Sequence, residues 1–317
     1  MTTERPIFIV GVHRSGTTLL RFMLNSHPRL YIPPESDFIP RFFGRRPQGP
    51  LDEARVAWLL EVIFRHYRLV KEWQGAPPDP AEFAAAMTEP TPAAFLDTLY
   101  SRYARQHNAE RWGDKTPIYA SYVDLIATIF PTAQFVHILR DGRDVALSML
   151  DKWESEIHID VYFAARNWLR RIHQARASGA RLGPDRYYEL RYEALVADPE
   201  AELRPLCAYL GEDYVPAMAQ PQRLGRQQFG EGDFHAALRR PPGTSRVGRW
   251  REEMPARDLR IFQRVAGPLL AELGYEVADA GPMPAGEGLR FAALGCKYTV
   301  LQGGRRGLQA LHLVPPI

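Results

Sequence analysis

The chain opens on an apolar run, PIFIVGV (6–12), which carries no charge and four β-branched residues. Such a run predicts a strand buried on both faces of a parallel sheet. The spacing then changes. In TTLLRFMLNSH (17–27) apolar residues recur at helical intervals and stop before Pro28, which predicts a helix. AQFVHILR (133–140) repeats the strand pattern and GRDVALSML (142–150) opens a second helix. RYYELRYEAL (186–195) holds a third strand. DPEAELRPLCAYLG (198–211) is a helix with Pro199 at its start and Gly211 at its end. ARDLRIFQRVAGPLLAELGY (256–275) is the last strong helical pattern. Strands alternating with helices predict an α/β fold, a parallel sheet flanked by helices.

Between the first two strands the pattern is mostly helical. LDEARVAWLLEVIFRHYRLVKEW (51–73) and TPAAFLDTLYSRYARQH (91–107) are both amphipathic, with proline-rich breaks at 77–80 and 90–92. This insertion after the first βα unit, taken as 41–112, is expected to cover a site at the strand ends. Residues 1–277 read as one domain. ADAGPMPAGEG (278–288) reads as a linker, and the remainder to 317 as short apolar pieces around GGRRG (303–307), with no role assigned.

Composition narrows the function classes. The net charge is +3, with 40 Lys and Arg against 37 Asp and Glu, and the basic residues are not clustered in runs. That gives no footprint for nucleic acid or an anionic membrane. No apolar stretch is long enough to span a bilayer, and residues 1–6 show no signal-peptide pattern, so the expected location is the cytoplasm without stable membrane insertion. Cys207 and Cys296 sit far apart in apolar contexts and read as buried thiols, not as a disulfide or metal site. Lysine occurs only at 71, 115, 152 and 297, so each lysine stands out.

The turn between the first strand and helix reads Arg14-Ser15-Gly16-Thr17-Thr18. A strand-to-helix turn exposes backbone N–H groups at the positive helix end, which makes an anion site. Gly16 permits close backbone approach, Arg14 supplies a cation, and Thr17 and Thr18 supply hydroxyls. Gly16 stands where a nucleoside-triphosphate P-loop would carry lysine. Arg140 ends the second strand, where open α/β sheets bind ligands, and Ser148 lies eight residues on along the next helix. The pair could hold a second phosphate. Equally, Arg140 could pair with Asp141 or Asp144, and Ser148 could be a buried helix serine.

Together the two elements resemble the sulfotransferases that use 3′-phosphoadenylyl sulfate (PAPS). GDKTP (113–117), RYEALVADPEAELRPLCAYLG (191–211) and SRVGRWREEMP (245–255) extend the likeness in family order over about residues 6 to 275. The branch it most resembles holds protein-tyrosine sulfotransferases and bacterial relatives. The resemblance implies a P-loop-like parallel sheet and PAPS as co-substrate, with no metal. It assigns Arg14 to Thr18 to the 5′-phosphosulfate, and Arg140 and Ser148 to the 3′-phosphate. Lys152 would contact the nucleotide where tyrosyl relatives often carry arginine, and Tyr192 would touch the cofactor. The amides around Gly248, the cation of Arg249 and the ring of Trp250 would close over the nucleotide. Lys115 would stabilise charge on the transferring group.

Glu35, in IPPESDFIP (32–40), matches the position of the family's base and would take the acceptor proton, with Asp37 as the alternative. The chain departs from the tyrosyl pattern at Gly248, where those enzymes carry a serine. Ser245 is the substitute within reach. His13, His137 and His158 read as structural. The acceptor would be a hydroxyl on tyrosine, a glycan, a lipid or a phenolic metabolite. Aromatics (Phe42, Phe43, Phe229, Phe234) and arginines (Arg41, Arg45, Arg46, Arg239, Arg240) of 41–112 and 222–244 are candidates to shape its site. The sequence does not fix the oligomeric state. Two other readings remain: a small-molecule P-loop kinase with HILRD (137–141) as its Walker-B-like strand, or a nucleotide-binding module without catalysis.

Overall fold

The computed structural model describes residues 5–66, 70, 73–153, 159–228 and 236–310. Five strands, β1 (Ile7–Gly11), β2 (Leu30–Tyr31), β3 (Arg111–Lys115), β4 (Gln134–Leu139) and β5 (Tyr187–Arg191), form one sheet in the order β2-β3-β1-β4-β5. Every pairing is parallel, with Ile9 opposite Lys115 on one side and Val136 on the other. The helices are α1 (Thr17–Asn25), α2 (Ile39–Phe43), α3 (Glu53–His66), α4 (Pro80–Ala86), α5 (Pro92–Gln106), α6 (Val123–Ile129) and α7 (Gly142–Trp153). They continue as α8 (Val161–Leu182), α9 (Tyr192–Ala197), α10 (Pro199–Leu210), α11 (Gln222–Gln228), α12 (Trp250–Glu253), α13 (Ala256–Glu272) and α14 (Ala285–Ala310).

The period-two alternation of β1 sorts its side chains between two cores. Phe8 and Val10 face a cluster with Trp112, Phe135 and residues of α2, α3 and α5 such as Phe43, Leu59 and Phe95. Ile7 and Ile9 face Val136, Ile138 and the apolar stripes of α1 and α10. Leaving β1, the chain moves to β2 at one edge, while β4 lies on the opposite side. The carboxyl end of β1 is therefore a topological switch point, where open α/β sheets form their ligand crevice.

The expected helices at 17–27, 142–150, 198–211 and 256–275 are present within a few residues. α10 starts at Pro199 with the Asp198 carboxylate accepting from Ala201 N–H, and Gly211 ends it in the left-handed region at φ 77°. Within the helix expected over 51–73, the described residues show α3, Glu53–His66; residues 67–69 and 71–72 lie outside the described residues.

Two expectations need correction, and one strand was not anticipated. β3 carries three charged residues in RWGDK, yet it is paired on both sides. The segment read as linker and tail contains α14, whose Phe291 and Tyr298 rings pack on Tyr162 of α8. Cys296 lies on the exposed side of α14, whereas Cys207 is buried, and burial raises its thiol to about 11. Among the described residues, no helix is long and apolar enough to cross a membrane.

Candidate active site

The strand ends and the loops after them line a cavity of about 690 Å³. Its floor is the turn between β1 and α1. Ser15 N–H donates to Val12 O at 3.1 Å and closes the turn, and Arg14 (φ 74°) and Gly16 (φ 97°) both adopt left-handed backbone. A Cβ on Gly16 would lie 2.4 Å from the Tyr192 ring, so glycine is required there by sterics as well as by φ. Tyr192 begins α9 directly after β5 and lines the same cavity.

Three arginines converge on this floor. Arg14 Nε donates to Ser148 Oγ at 2.9 Å, which joins the first loop to α7. Arg140, at the end of β4, donates from Nη1 to Arg14 O at 2.9 Å and from Nη2 to Arg246 O at 2.6 Å. Its guanidinium lies 4.4 Å from the Tyr192 ring centroid. Asp144 Oδ2 is 4.0 Å from Arg140, at the limit of an ion pair, and Asp141 is turned to Arg143 instead. Burial, followed by repulsion from Arg140 and Arg246, lowers the Arg14 pKa to about 10. Clustered cations of this kind favour an anion between them. Arg140 Nε and Ser15 Oγ are buried and have no hydrogen-bond partner among the described residues. Unmatched donors beside a cation cluster and a helix N-terminus fit a phosphate-type ligand.

On the other side of β1, Lys115 Nζ donates to Glu35 Oε1 at 2.7 Å and to Thr18 Oγ1 at 3.4 Å. Two networks place Glu35. Ile32 N–H donates to Asn25 Oδ1, while Ile32 O accepts from Arg21 Nε and Asn25 Nδ2. One residue past Glu35, Ser36 N–H donates to Thr116 Oγ1 at 3.0 Å, and Ser36 Oγ meets the Tyr119 hydroxyl at 2.7 Å. Burial lowers the Lys115 pKa, and the neighbouring Glu35 carboxylate opposes that shift. Asp114 does not pair with Lys115; it accepts from the Tyr100 hydroxyl at 2.6 Å, and burial raises its pKa.

His13, read from sequence as structural, lines the cavity with Glu35, Asp37 and Lys152. Burial first, then the charge of Arg171, lowers its pKa to about 4, so the ring is neutral near pH 7. His137 is different: it is buried within β4, with Nδ1 against the Tyr187 hydroxyl at 2.5 Å. His158, Phe229 and Phe234 lie outside the described residues.

The loop before α12 is arranged differently from the expectation. Gly248 N–H and Trp250 N–H both donate to the Asp144 carboxylate, at 2.7 and 3.0 Å, so these amides are committed within the protein. Arg249 pairs with Asp151 and Glu253, and Trp250 is buried under Arg143 at 3.5 Å. None of the three lines the cavity; Gly243, Ser245 and Arg246 do. Arg246 was missed in the sequence because no periodicity marks it, and its closeness to the Gly248 segment was the available signal. No described residue of 41–112 lines the cavity either. Phe43 is consumed by the core, and Phe42 packs edge-on against Trp58 at 5.4 Å. Among the described residues, no three His, Cys, Asp or Glu side chains are grouped to hold a metal ion.

The chain belongs to the sulfotransferase family: that family's model matches residues 6–216. It is 26% identical over 297 residues to protein-tyrosine sulfotransferase 1 of Danio rerio, covering 85% of this chain and 72% of that one. An uncharacterized protein of Aquifex aeolicus is 30% identical over 221 residues, covering 67% of this chain, which spans only 26% of that protein's length. In fold it resembles the sulfotransferase domain of the Synechococcus PCC 7002 olefin synthase, with a TM-score of 0.63 at 24% identity, covering 87% of this chain and 97% of that domain. The protein is thus a transferase of the sulfotransferase type.

Proposed function

We propose that the chain moves a sulfuryl group from PAPS to a hydroxyl acceptor, with Glu35 as base. The observation that carries this reading is the Lys115–Glu35 pair, whose glutamate lines the same cavity as Arg14 and Arg140. The donor, when bound, supplies the sulfuryl group that passes from a phosphate oxygen to the acceptor oxygen. The turn from Arg14 to Thr18 suits the 5′ end of that nucleotide, through its amides, hydroxyls and one guanidinium. Arg140, Ser148, Lys152 and Tyr192 suit the 3′ end.

Glu35 Oε is the carboxylate positioned to accept the acceptor's proton. Lys115, buried and already directed at Thr18 Oγ1, stabilises negative charge at the head of α1. The acceptor hydroxyl approaches from the side of Glu35 and Asp37, and the relative that sulfates protein tyrosine makes a phenol the first class to try. The catalytic unit is residues 1–277, and α14 beyond it packs on α8 through Phe291 and Tyr298. The kinase alternative would need Asp141 free at the end of β4. Its two oxygens are held by Arg143, at 3.0 and 2.7 Å.

The test is calorimetric titration with adenosine 3′,5′-bisphosphate in the absence of metal, beside ATP with Mg²⁺. Metal-free binding that Arg140→Ala abolishes is the expected result. Preference for ATP with Mg²⁺ would overturn the reading.

A further inference from the structure

We infer that Tyr119 is a positioning residue for turnover: its hydroxyl fastens the loop that carries Glu35, so the segment that supplies Lys115 also sets where the carboxylate stands. The inference rests on the reading of Glu35 as base. It goes beyond that reading by assigning a residue that does not line the cavity.

Glu35 lies between β2 and α2, in residues 32–38, where no strand or helical ladder fixes the backbone. Such a segment stands where its individual hydrogen bonds put it. Its anchors come from the turn that follows β3. Tyr119 N–H donates to Thr116 O at 2.9 Å and closes a short turn over Pro117–Ser121, while Arg171 Nη1 of α8 donates to Ile118 O at 3.3 Å. This turn presents Thr116 Oγ1 to Ser36 N–H at 3.0 Å. It also presents the Tyr119 hydroxyl to Ser36 Oγ at 2.7 Å and to Ile39 N–H at 3.1 Å.

The contacts at Ser36 and Ile39 bracket Asp37, whose backbone is left-handed at φ 59°. A non-glycine residue keeps that conformation when its surroundings impose it. Ser36, Thr116 and Tyr119 are fully buried, so water does not replace a lost bond. Burial, followed by the charge of Asp114, raises the Tyr119 pKa. The hydroxyl therefore keeps its proton and can donate to Ser36 Oγ while accepting from Ile39 N–H. One residue before Ser36, the Glu35 carboxylate meets Lys115 at 2.7 Å. Misplacing a reacting group by about 1 Å can cost about 10²-fold in rate, so slack in this loop is read in kcat. Arg140 bonds to Arg14 O and Arg246 O, away from this turn, so nucleotide affinity is expected to stay.

Transfer of ³⁵S from labelled PAPS to a tyrosine peptide, a simple phenol, a sugar alcohol and a lipid alcohol is measured for wild type, Tyr119→Phe, Ser36→Ala, Glu35→Gln and the double variant Glu35→Gln/Tyr119→Phe. Calorimetry with adenosine 3′,5′-bisphosphate and thermal melts accompany each. On the acceptor that the wild type uses best, Tyr119→Phe is expected to lower kcat by about tenfold to a hundredfold, with acceptor KM and bisphosphate affinity within about twofold of wild type. In the Glu35→Gln background the same change is expected to cost less than about twofold, because the base it positions is gone. Ser36→Ala is expected to lower kcat as well. If Tyr119→Phe does not fold, Ser36→Ala and its double with Glu35→Gln are judged by the same outcomes. Undiminished kcat in a folded Tyr119→Phe would overturn the inference, as would a loss that persists in full without Glu35 or that bisphosphate affinity shares. Undiminished turnover in Glu35→Gln, or no transfer by the wild type, would instead sink the reading of Glu35 as base, and the inference with it.

Discussion

Two ion pairs stand at the carboxyl edge of the sheet, one after β3 and one after β4, and they are built for different ends. Arg143 and Asp141 are closed on each other. Both carboxylate oxygens are taken, Arg143 N–H adds a third bond, and the Trp250 ring covers the guanidinium. Lys115 and Glu35 meet at 2.7 Å, Thr18 is a second acceptor for the lysine, and the glutamate side chain is 24% exposed. A saturated pair has nothing left to offer a ligand. A pair whose glutamate is partly exposed and lines a cavity beside cations can exchange partners. Equal formal charge at the ends of the two strands that flank β1 thus separates into a structural device and a reactive one.

The largest expected effect falls on the open pair. Glu35→Gln should cut turnover by about 10²–10⁴-fold while leaving bisphosphate affinity near wild type, as removal of a general base does. Steady-state rates combined with calorimetry check this. Arg143→Met should do the reverse. It strands a buried carboxylate and is expected to cost about 3–5 kcal/mol of stability, read by denaturant unfolding. If Arg143→Met instead folded normally but lost turnover, the contrast between the pairs would collapse.

How much of this was legible beforehand follows from how each residue declares itself. β1 and β4 are recognisable because apolar runs mean burial, whereas β5, YYELR, declares itself through its strand-forming tyrosines. β3 is not recognisable, because Arg111, Asp114 and Lys115 read as surface residues. Asp114 and Lys115 are buried and Arg111 half-buried through particular partners: Gln134 and Glu212 for Arg111, Tyr100 for Asp114, Glu35 for Lys115. α14 was hidden by its glycines, which break a helical pattern on paper but here permit a helix stabilised by packing on α8 and by Lys297–Asp160 and Arg260–Glu287. The loop from Arg14 to Thr18 was legible from its turn chemistry. The meeting of Glu35 with Lys115, 80 residues apart, was reachable only through family likeness. The burial of Trp250 and the capture of Gly248 by Asp144 depend on tertiary contacts that no local pattern encodes.

Smaller effects sharpen the comparison. Gly16→Ala, forced into φ 97° against the Tyr192 ring, should cost about 1–3 kcal/mol and weaken bisphosphate binding in parallel. The smallest effect concerns His13. Its pKa falls from 6.5 to about 4 on folding, so between those values the unfolded chain binds a proton that the folded chain does not. Stability should therefore be complete above about pH 6.5 and decline as pH falls toward 4. His13→Asn should flatten that part of a melting-temperature profile against pH.

The most direct measurement follows ³⁵S from labelled PAPS to a tyrosine peptide, a simple phenol, a sugar alcohol and a lipid alcohol, in wild type and Glu35→Gln. Transfer to at least one hydroxyl by the wild type, reduced by about two orders of magnitude or more in a variant that still binds adenosine 3′,5′-bisphosphate, is the expected result. Undiminished transfer by Glu35→Gln would contradict the assignment of the open pair as the reactive one.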